Sequence, residues 1–194
     1  DISDKDKIQK IFDKNKFDIV IHFAAFTKVG ESVENPEKYF ENNYEKSKIF
    51  FDLCIKNKIN NLIFSSTGSV YGNVDKKNIL ESQKPSPINP YSKSKLMVED
   101  YLKVLSKKNL INAYILRYFN VAGADPLLRS GLTSNPYNLI KAICEFVSGE
   151  RDELIVNGNN FNTRDGTTIR DFIHVTDLAD MHYLASKNLI NNNK

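Results

Sequence analysis

A tyrosine and a lysine four residues apart, Tyr91 and Lys95, are the side chains of this sequence best suited to acid/base chemistry. Pro90 precedes them and favours the first turn of a helix, so both side chains are expected on one helical face with Cβ atoms about 5–6 Å apart. A free phenol has a pKa near ~10, and an adjacent ammonium favours the phenolate and lowers that pKa. The pair therefore fits a general acid/base, although Tyr and Lys at this interval also occur on many solvated helices.

Apolar runs of strand length alternate with helical patterns before the pair and after it. Strands that are apolar throughout and separated by helices indicate a parallel sheet covered on both faces, so the predicted class is α/β with a Rossmann-like, doubly wound parallel sheet. The predicted strands are residues 17–23, 61–65, 112–118 and a short one at 154–156. The predicted helices are residues 6–15, 36–58, 90–107, 139–147 and 177–189.

Small or polar residues follow three of these strands where each strand ends. They are Ala24 to Thr27 after the first strand, Ser66 to Gly68 after the second, and Phe119 with Asn120 after the third. In doubly wound sheets, ligands bind outside the carboxyl ends of the strands. The three segments therefore predict one cleft, next to the helix that begins with Tyr91.

Composition and charge exclude several classes of protein. The chain of 194 residues is 41% apolar and 26% charged with a net charge of +3, and its basic residues form no dense stripe, so no nucleic-acid partner is expected. The most apolar stretch, residues 19–26, is too short to span a bilayer, so no membrane partner is expected either. Cys54 and Cys144 lie in apolar helical patterns and are predicted to be buried free thiols of a cytoplasmic protein. No metal site and no GxSxG hydrolase motif is predicted.

Three strings in this order carry a specific resemblance: FSSTGSVYG at 64–72, NPYSKSKLMVE at 89–99 and LRYFNVAGADP at 116–126. Together they resemble the UDP-glucose 4-epimerases, which are NAD-dependent nucleotide-sugar enzymes of the extended short-chain dehydrogenase/reductase family. Residues 22–43 are similar to the segment lining the nicotinamide half of the NAD site in that family. Asn138, residues 149–158 and residues 165–182 are similar to its UDP-sugar side. The resemblance covers nearly the whole chain.

The resemblance implies roles for individual residues. Tyr91 would exchange a proton with the sugar 4-hydroxyl, Lys95 would hold the nicotinamide ribose, and Thr67 would hydrogen-bond between the sugar and Tyr91. The implied contacts of NAD are Asp1, Ile2, Phe23, Ala24, Ala25, Thr27, Asn42, Ser65, Ser66, Tyr91, Lys95 and Phe119. The implied contacts of the UDP-sugar are Thr67, Asn120, Asn138, Leu139, Ile155, Val156, Asn157, Arg170 and Phe172.

The sequence departs from the family pattern in places. The family often has a Lys at the position of Thr27, whereas this chain has Lys28 one residue later, and Phe172 stands where a Tyr is common. No GxGxxG turn that would seat a pyrophosphate is present. We therefore expect an interior portion of a longer protein. Residues 1–124 would be the C-terminal part of the NAD-binding Rossmann domain, and 125–194 would be mainly an incomplete, smaller substrate-binding C-terminal region.

The activity implied by the resemblance is interconversion of UDP-glucose and UDP-galactose through a transient 4-keto sugar with bound NAD. The implied partners are a UDP-hexose and, in the full-length protein, a second copy packed through helices 36–58 and 90–107. Related dehydratases and decarboxylases carry an acidic residue just after the position of Thr67, and here Gly68 and Ser69 follow it. A nucleotide-sugar reductase, another epimerase of this fold, and an inactive fragment without the pyrophosphate loop remain as alternatives.

Overall fold

The computed structural model describes residues 1–74, 78–132 and 138–191. Its strands are β1 (Val20–His22), β2 (Asn61–Ser65), β3 (Asn112–Leu116), β4 (Asn120–Ala122) and β5 (Phe172–His174). Its α-helices are α1 (Lys5–Lys14), α2 (Val29–Glu34), α3 (Pro36–Tyr39), α4 (Lys46–Lys56), α5 (Pro90–Lys107), α6 (Leu139–Val147) and α7 (Val175–Asn191). A π-helical segment (Phe40–Glu45) joins α3 to α4, and a 3-10 turn (Gly68–Tyr71) follows β2.

The contacts within the chain divide it into two compact units. The first unit comprises Asp1–Tyr118 together with His182–Lys194, and the second unit is Phe119–Met181. The division predicted between residues 124 and 125 falls inside the second of these units. The cofactor and substrate roles assigned to the two predicted segments stay predictions.

A three-stranded parallel sheet with the order β1-β2-β3 forms the centre of the first unit. Val20 pairs with Leu62 on one side of β2, and Asn61 pairs with Asn112 on the other. The central strand β2 is buried from Leu62 onward, which explains its continuous apolar run. The predicted α/β class with a parallel sheet flanked by helices is confirmed.

Helices α4 and α5 supply much of the apolar core that packs with this sheet. Burial of such side chains contributes roughly 25 cal/mol per Å² of apolar surface and holds the helices in place. The members of the core are Phe50, Phe51, Cys54, Ile59, Leu62, Phe64, Val98, Leu102, Leu105 and Ile111. His22, which ends β1, is packed in the same region at 3% exposure, and its Nε2 lies 2.9 Å from Ser47 Oγ.

The helix predicted over residues 36–58 is helical throughout 36–56, but it is not a single α-helix. Its middle, Phe40–Glu45, is π-helical, so each turn there holds more residues than an α-turn. Asn43, 1% exposed, lies in this segment. No propensity signal in the sequence marks such a change of pitch.

The second unit contains the parallel pair β4–β5, in which Asn120 pairs with Phe172, and the amphipathic helix α6. The strand predicted at 154–156 is wrong: these residues form no strand, and Ile155 and Val156 are 62% and 66% exposed. An apolar run becomes a strand only where a partner strand satisfies its backbone. Cys144, predicted buried, is exposed because it lies opposite Ala142, the buried residue of α6. Within the described residues, no helix combines the length and apolarity that crossing a membrane requires.

Candidate active site

The first turn of α5 places the tyrosine that the sequence singled out. Asn89 caps the helix, since its Oδ1 accepts a hydrogen bond from Ser92 N at 2.9 Å, and Pro90 occupies the first helical position. Tyr91 follows directly, and Lys95 lies one turn further on. The sequence therefore fixes where α5 begins and which face carries the pair.

Lys95 is a buried lysine at 3% exposure. Its Nζ donates to the carbonyl oxygen of Ser65 at 2.8 Å and lies 4.8 Å from the ring centroid of Phe64. Burial disfavours the charged ammonium and lowers the pKa of Lys95 to about 8. The contact ties α5 to the carboxyl end of β2.

Tyr91 is hydrogen-bonded to the side chain of Thr67, which is 8% exposed. Burial raises the pKa of the Tyr91 phenol, the bond to Thr67 lowers it, and the net effect is a rise. The sequence predicted a pKa lowered by the Lys95 ammonium. That expectation is wrong for this structure, because desolvation of the phenolate is the largest effect here.

Tyr118 is a member of this cluster that sequence reasoning missed. Its hydroxyl is hydrogen-bonded to Ser65 Oγ, and the negative charge of its phenolate form raises the pKa of Tyr91. Burial in turn raises the pKa of Tyr118. The sequence carried a signal for Tyr118, because this residue lies at the carboxyl end of the third predicted strand. Phe119 and Asn120, which follow it, were predicted as site residues on that ground.

The loop after β1 carries four of the predicted cofactor contacts and is partly open to solvent. Phe23 is 56% exposed, Ala24 and Thr27 are exposed, and Ala25 is half-buried. The loop is held by Asn43, the second residue that sequence reasoning missed: its Oδ1 accepts from Phe26 N at 2.8 Å, and its Nδ2 donates to Phe26 O at 3.0 Å and to Ser94 Oγ at 3.2 Å.

Three further predicted cofactor residues lie in the first unit. Asn42, beside Asn43, donates to Asn43 Oδ1 at 3.1 Å. Asp1 forms an ion pair with Lys46 at 2.8 Å, and Ile2 packs against the apolar core. The structure thus gives Asn42 a place beside the β1 loop and gives Asp1 and Ile2 structural contacts. A cofactor role for each of them remains a prediction.

Several predicted substrate residues meet at the β4–β5 pair of the second unit. Asn120 donates through Nδ2 to Asp171 O at 2.9 Å, and Asn138 donates to Val121 O at 3.4 Å while it caps α6. Phe172, the β5 partner of Asn120, is 44% exposed.

The other predicted residues of the second unit are accessible to solvent. Arg170 lies two residues before Phe172, and its Nε donates to Thr168 Oγ1 at 3.4 Å. Ile155, Val156 and Asn157 lie on exposed chain after α6. Phe119 and Leu139 are 41% and 49% exposed. The structure therefore gathers Asn120, Asn138 and Phe172 around β4 and leaves residues 155–157 outside regular structure.

The arrangement in the first unit is suited to proton transfer. Tyr91, Thr67, Ser65 and Tyr118 bring four hydroxyls to the carboxyl edge of the sheet, and Lys95 brings an ammonium. A phenol that is paired with a hydroxyl can give or take a proton through it. Across the parts of the chain that the structure covers, no group of three His, Cys, Asp or Glu side chains is arranged to hold a metal ion.

Known proteins resemble this chain in sequence and in structure. It is 42% identical to a UDP-glucose 4-epimerase of Azospirillum brasilense over 186 residues, covering 95% of this chain and 53% of that protein. It is 40% identical to a bifunctional UDP-glucose and UDP-xylose 4-epimerase of Pisum sativum, covering 97% and 55%. A solved UDP-glucose 4-epimerase from Brucella ovis in complex with NAD superimposes with a TM-score of 0.92 at 39% identity, covering 99% and 59%.

The matches cover nearly all of this chain but only part of each relative. The chain spans about half the length of the curated relatives it matches. The profile of the "NAD dependent epimerase/dehydratase family" matches residues 1–194, which is the whole chain. This protein therefore belongs to the NAD dependent epimerase/dehydratase family.

Proposed function

We propose that this chain carries the acid/base centre of an NAD-dependent epimerase that interconverts UDP-glucose and UDP-galactose through a 4-keto sugar. The observation that supports it best is the cluster of Tyr91, Thr67 and Lys95 at the carboxyl end of β2. The relatives named UDP-glucose 4-epimerase support the choice of reaction. The Gly68–Ser69 pair after Thr67 offers no second acid, which favours epimerisation over dehydration.

In this proposal, Tyr91 exchanges a proton with the 4-hydroxyl of the sugar. Thr67 passes a hydrogen bond between that hydroxyl and the phenol, since it already bonds to Tyr91. Lys95 holds a positive charge one helical turn from Tyr91 at neutral pH, because its pKa of about 8 still lies above that range. The three side chains orient the reacting hydroxyl and move its proton.

The residues at the sheet edge fit a dinucleotide. The Lys95 ammonium has three hydrogen-bond donors, and one of them bonds to the Ser65 carbonyl. Its Nζ lies at the carboxyl end of β2, where a ribose hydroxyl would be a suitable acceptor for another donor. Exposed Phe23 and the small residues Ala24 and Ala25 offer an apolar surface to a planar ring. NAD, when bound, supplies the hydride acceptor and donor. Asn42, Thr27, Phe119, Ser66, Asp1 and Ile2 complete the proposed contacts of NAD.

For the substrate, we assign further contacts of the nucleotide sugar, besides Thr67, to residues of the second unit. The exposed guanidinium of Arg170 suits a diphosphate because it presents a bidentate fork. Asn120 and Asn138 supply amides for sugar or phosphate oxygens. Leu139, Ile155, Val156, Asn157 and Phe172 complete this assignment. The relative that also acts on UDP-xylose makes a UDP-pentose the second candidate substrate.

We also propose a cellular compartment and an oligomeric state for the protein. Free Cys54 and free, exposed Cys144 suit a reducing compartment, so we propose a cytoplasmic enzyme. We further propose a homodimer packed through residues 36–58 and 90–107, with no nucleic-acid or membrane partner. Light scattering of the full-length protein tests the dimer.

The function is tested by following conversion of UDP-galactose to UDP-glucose with added NAD, for the chain as given and for the full-length protein. Tyr91→Phe should lower kcat about 10²–10⁴-fold, since it removes the proton-transfer group. Tyr101→Phe, the same change on the same helix, is the matched control and should retain activity. Folded, NAD-bound full-length protein that converts neither UDP-galactose nor a UDP-pentose would overturn the proposal.

A further inference from the structure

The carboxylate of Glu99 is buried in a hydrogen-bond network that the proposed proton transfer does not use. Glu99 is 0% exposed, and Tyr91, Lys95 and Glu99 succeed one another at four-residue intervals on α5. Its Oε1 accepts from Ser66 Oγ at 2.5 Å and from Arg117 Nε at 2.8 Å. Its Oε2 accepts from Arg117 Nε at 3.1 Å and pairs with Arg117 Nη2. A buried charge needs such partners.

Ser66 stands between two residues of the candidate site. The carbonyl of Ser65 accepts the hydrogen bond from Lys95, and the side chain of Thr67 bonds to Tyr91. The Ser66 hydroxyl reaches Glu99, so three consecutive residues at the carboxyl end of β2 contact three successive turns of one face of α5.

Arg117 occupies the matching position after β3. The backbone on either side of it holds the Ser66 segment: Ser66 N donates to Leu116 O at 2.9 Å, and Gly68 N donates to Tyr118 O at 2.8 Å. Arg117 also donates through Nη1 to Tyr71 OH at 2.9 Å. A single carboxylate of α5 is thus bonded to both strand-end segments that carry the candidate site.

Building on the proposed function, we propose that Glu99 is a positioning residue that, through Ser66 and Arg117, holds Thr67 and the Ser65 carbonyl in place against Tyr91 and Lys95. Burial alone would raise the pKa of Glu99, but the hydrogen bonds from Arg117 and Ser66 outweigh it and the pKa is lowered. Glu99 therefore remains an ionised acceptor over the neutral range. Charge-assisted bonds of this kind are shorter and stronger than neutral ones.

This role differs measurably from a contribution to folding alone. The bond from Thr67 lowers the pKa of Tyr91, so displacement of Thr67 should let that pKa rise further. A change that only weakens the fold lowers the melting temperature and leaves the titration of Tyr91 in the folded protein unchanged.

The test compares Glu99→Gln with Leu102→Ala in the full-length protein with bound NAD. Leu102 is 0% exposed, belongs to the apolar core and lies on the same helix, so it controls for lost stability. Glu99→Gln should lower kcat about tenfold or more while the KM for UDP-galactose stays within about twofold. It should also raise the pKa of Tyr91 by about one unit, read as phenolate absorbance minus that of Tyr91→Phe. Leu102→Ala should leave both readouts unchanged.

Equal effects of Glu99→Gln and Leu102→Ala on kcat and on the Tyr91 titration would overturn the proposal. If Glu99→Gln does not fold, Ser66→Ala removes the hydroxyl link to Glu99, and it must raise the Tyr91 pKa in the same direction; no rise overturns the proposal. The titration needs no turnover. A wild-type protein that epimerises no UDP-sugar refutes the proposed function, while the Tyr91 titration still decides the role of Glu99.

Discussion

Burial drives both ionisable partners of α5 toward their neutral forms. It raises the pKa of the Tyr91 phenol and lowers the pKa of the Lys95 ammonium to about 8, because each charged form loses hydration. The two pKa values therefore move apart, with that of Lys95 falling below that of the phenol. At neutral pH Lys95 is charged in a buried place that disfavours charge, which lowers the stability of the folded chain. The proposed role of Lys95 and the stability of the fold therefore conflict at this residue.

This conflict makes the free energy of unfolding depend on pH. The pKa of Lys95 is about 8 in the folded chain against the ordinary 10.5. Between those values the unfolded chain binds the proton that the folded chain has released, so stability should rise with pH by up to about 3 kcal/mol. Below pH 8 both states are charged and this dependence vanishes.

Denaturant unfolding at several pH values measures the effect. Lys95→Met cannot titrate, so the difference between wild type and this variant isolates Lys95 from the tyrosines that ionise in the same range. The free energy of unfolding of the wild type should increase relative to that of Lys95→Met as the pH rises from 8 to 10.5. A difference that stays constant over that range would contradict the lowered pKa.

At the scale of elements, the π segment determines where the β1 loop lies. It places the buried side chain of Asn43 against Phe26, whose N–H and C=O are both bonded to the Asn43 amide. The same amide reaches Ser94 on α5. One side chain therefore joins the loop with the proposed cofactor contacts to the helix that carries the acid/base pair.

Asn43→Ala should lower the free energy of unfolding by about 2–3 kcal/mol, because it leaves buried polar partners unpaired. It should also speed hydrogen exchange at the Phe26 amide, which loses its acceptor. Asn60→Ala, at an exposed asparagine, is the control and should change stability by less than about 0.5 kcal/mol. Unchanged protection of Phe26 in Asn43→Ala would show that other contacts hold the loop.

The elements that the sequence predicted correctly carry their own boundary signals. Asn89 and Pro90 define the start of α5, and the apolar run of β2 ends where polar residues begin. The three-residue strands β4 and β5 have no such signal, because they exist only through pairing with each other. Likewise, the bonds of Glu99 to Ser66 and Arg117 join residues far apart in sequence. No local pattern predicts them.

At the scale of the whole molecule, the two cysteines report on the two units separately. Cys54 is fully buried in the core of the first unit, where burial raises the pKa of its thiol to about 12. Cys144 is exposed on α6 of the second unit. Thiol reagents must reach the thiolate to react. The burial of Cys54 and its raised pKa therefore both protect it from these reagents.

We therefore expect one fast-reacting thiol per chain in Ellman's assay at pH 8, and a second only after guanidinium unfolding. Cys144→Ser should remove the fast phase and leave the slow one. Fast reaction in Cys144→Ser would mean that the first unit opens readily under native conditions and would contradict the tight core around Cys54.

The position of α5 between β2 and β3 in the chain also bears on how the protein folds. Parallel neighbours cannot be joined by a tight turn, so α5 is part of the long crossover that connects β2 to β3. Distant pairings of this kind form slowly, because loop closure costs entropy before contacts repay it. Since the crossover also contains the helix that brings Lys95 to the Ser65 carbonyl, we expect sheet closure and assembly of the proposed site to be coupled during folding. A chain in which α5 has not yet packed against β2 lacks the contact of Lys95 with the Ser65 carbonyl, so a refolding chain should acquire the proposed acid/base site together with this part of its sheet.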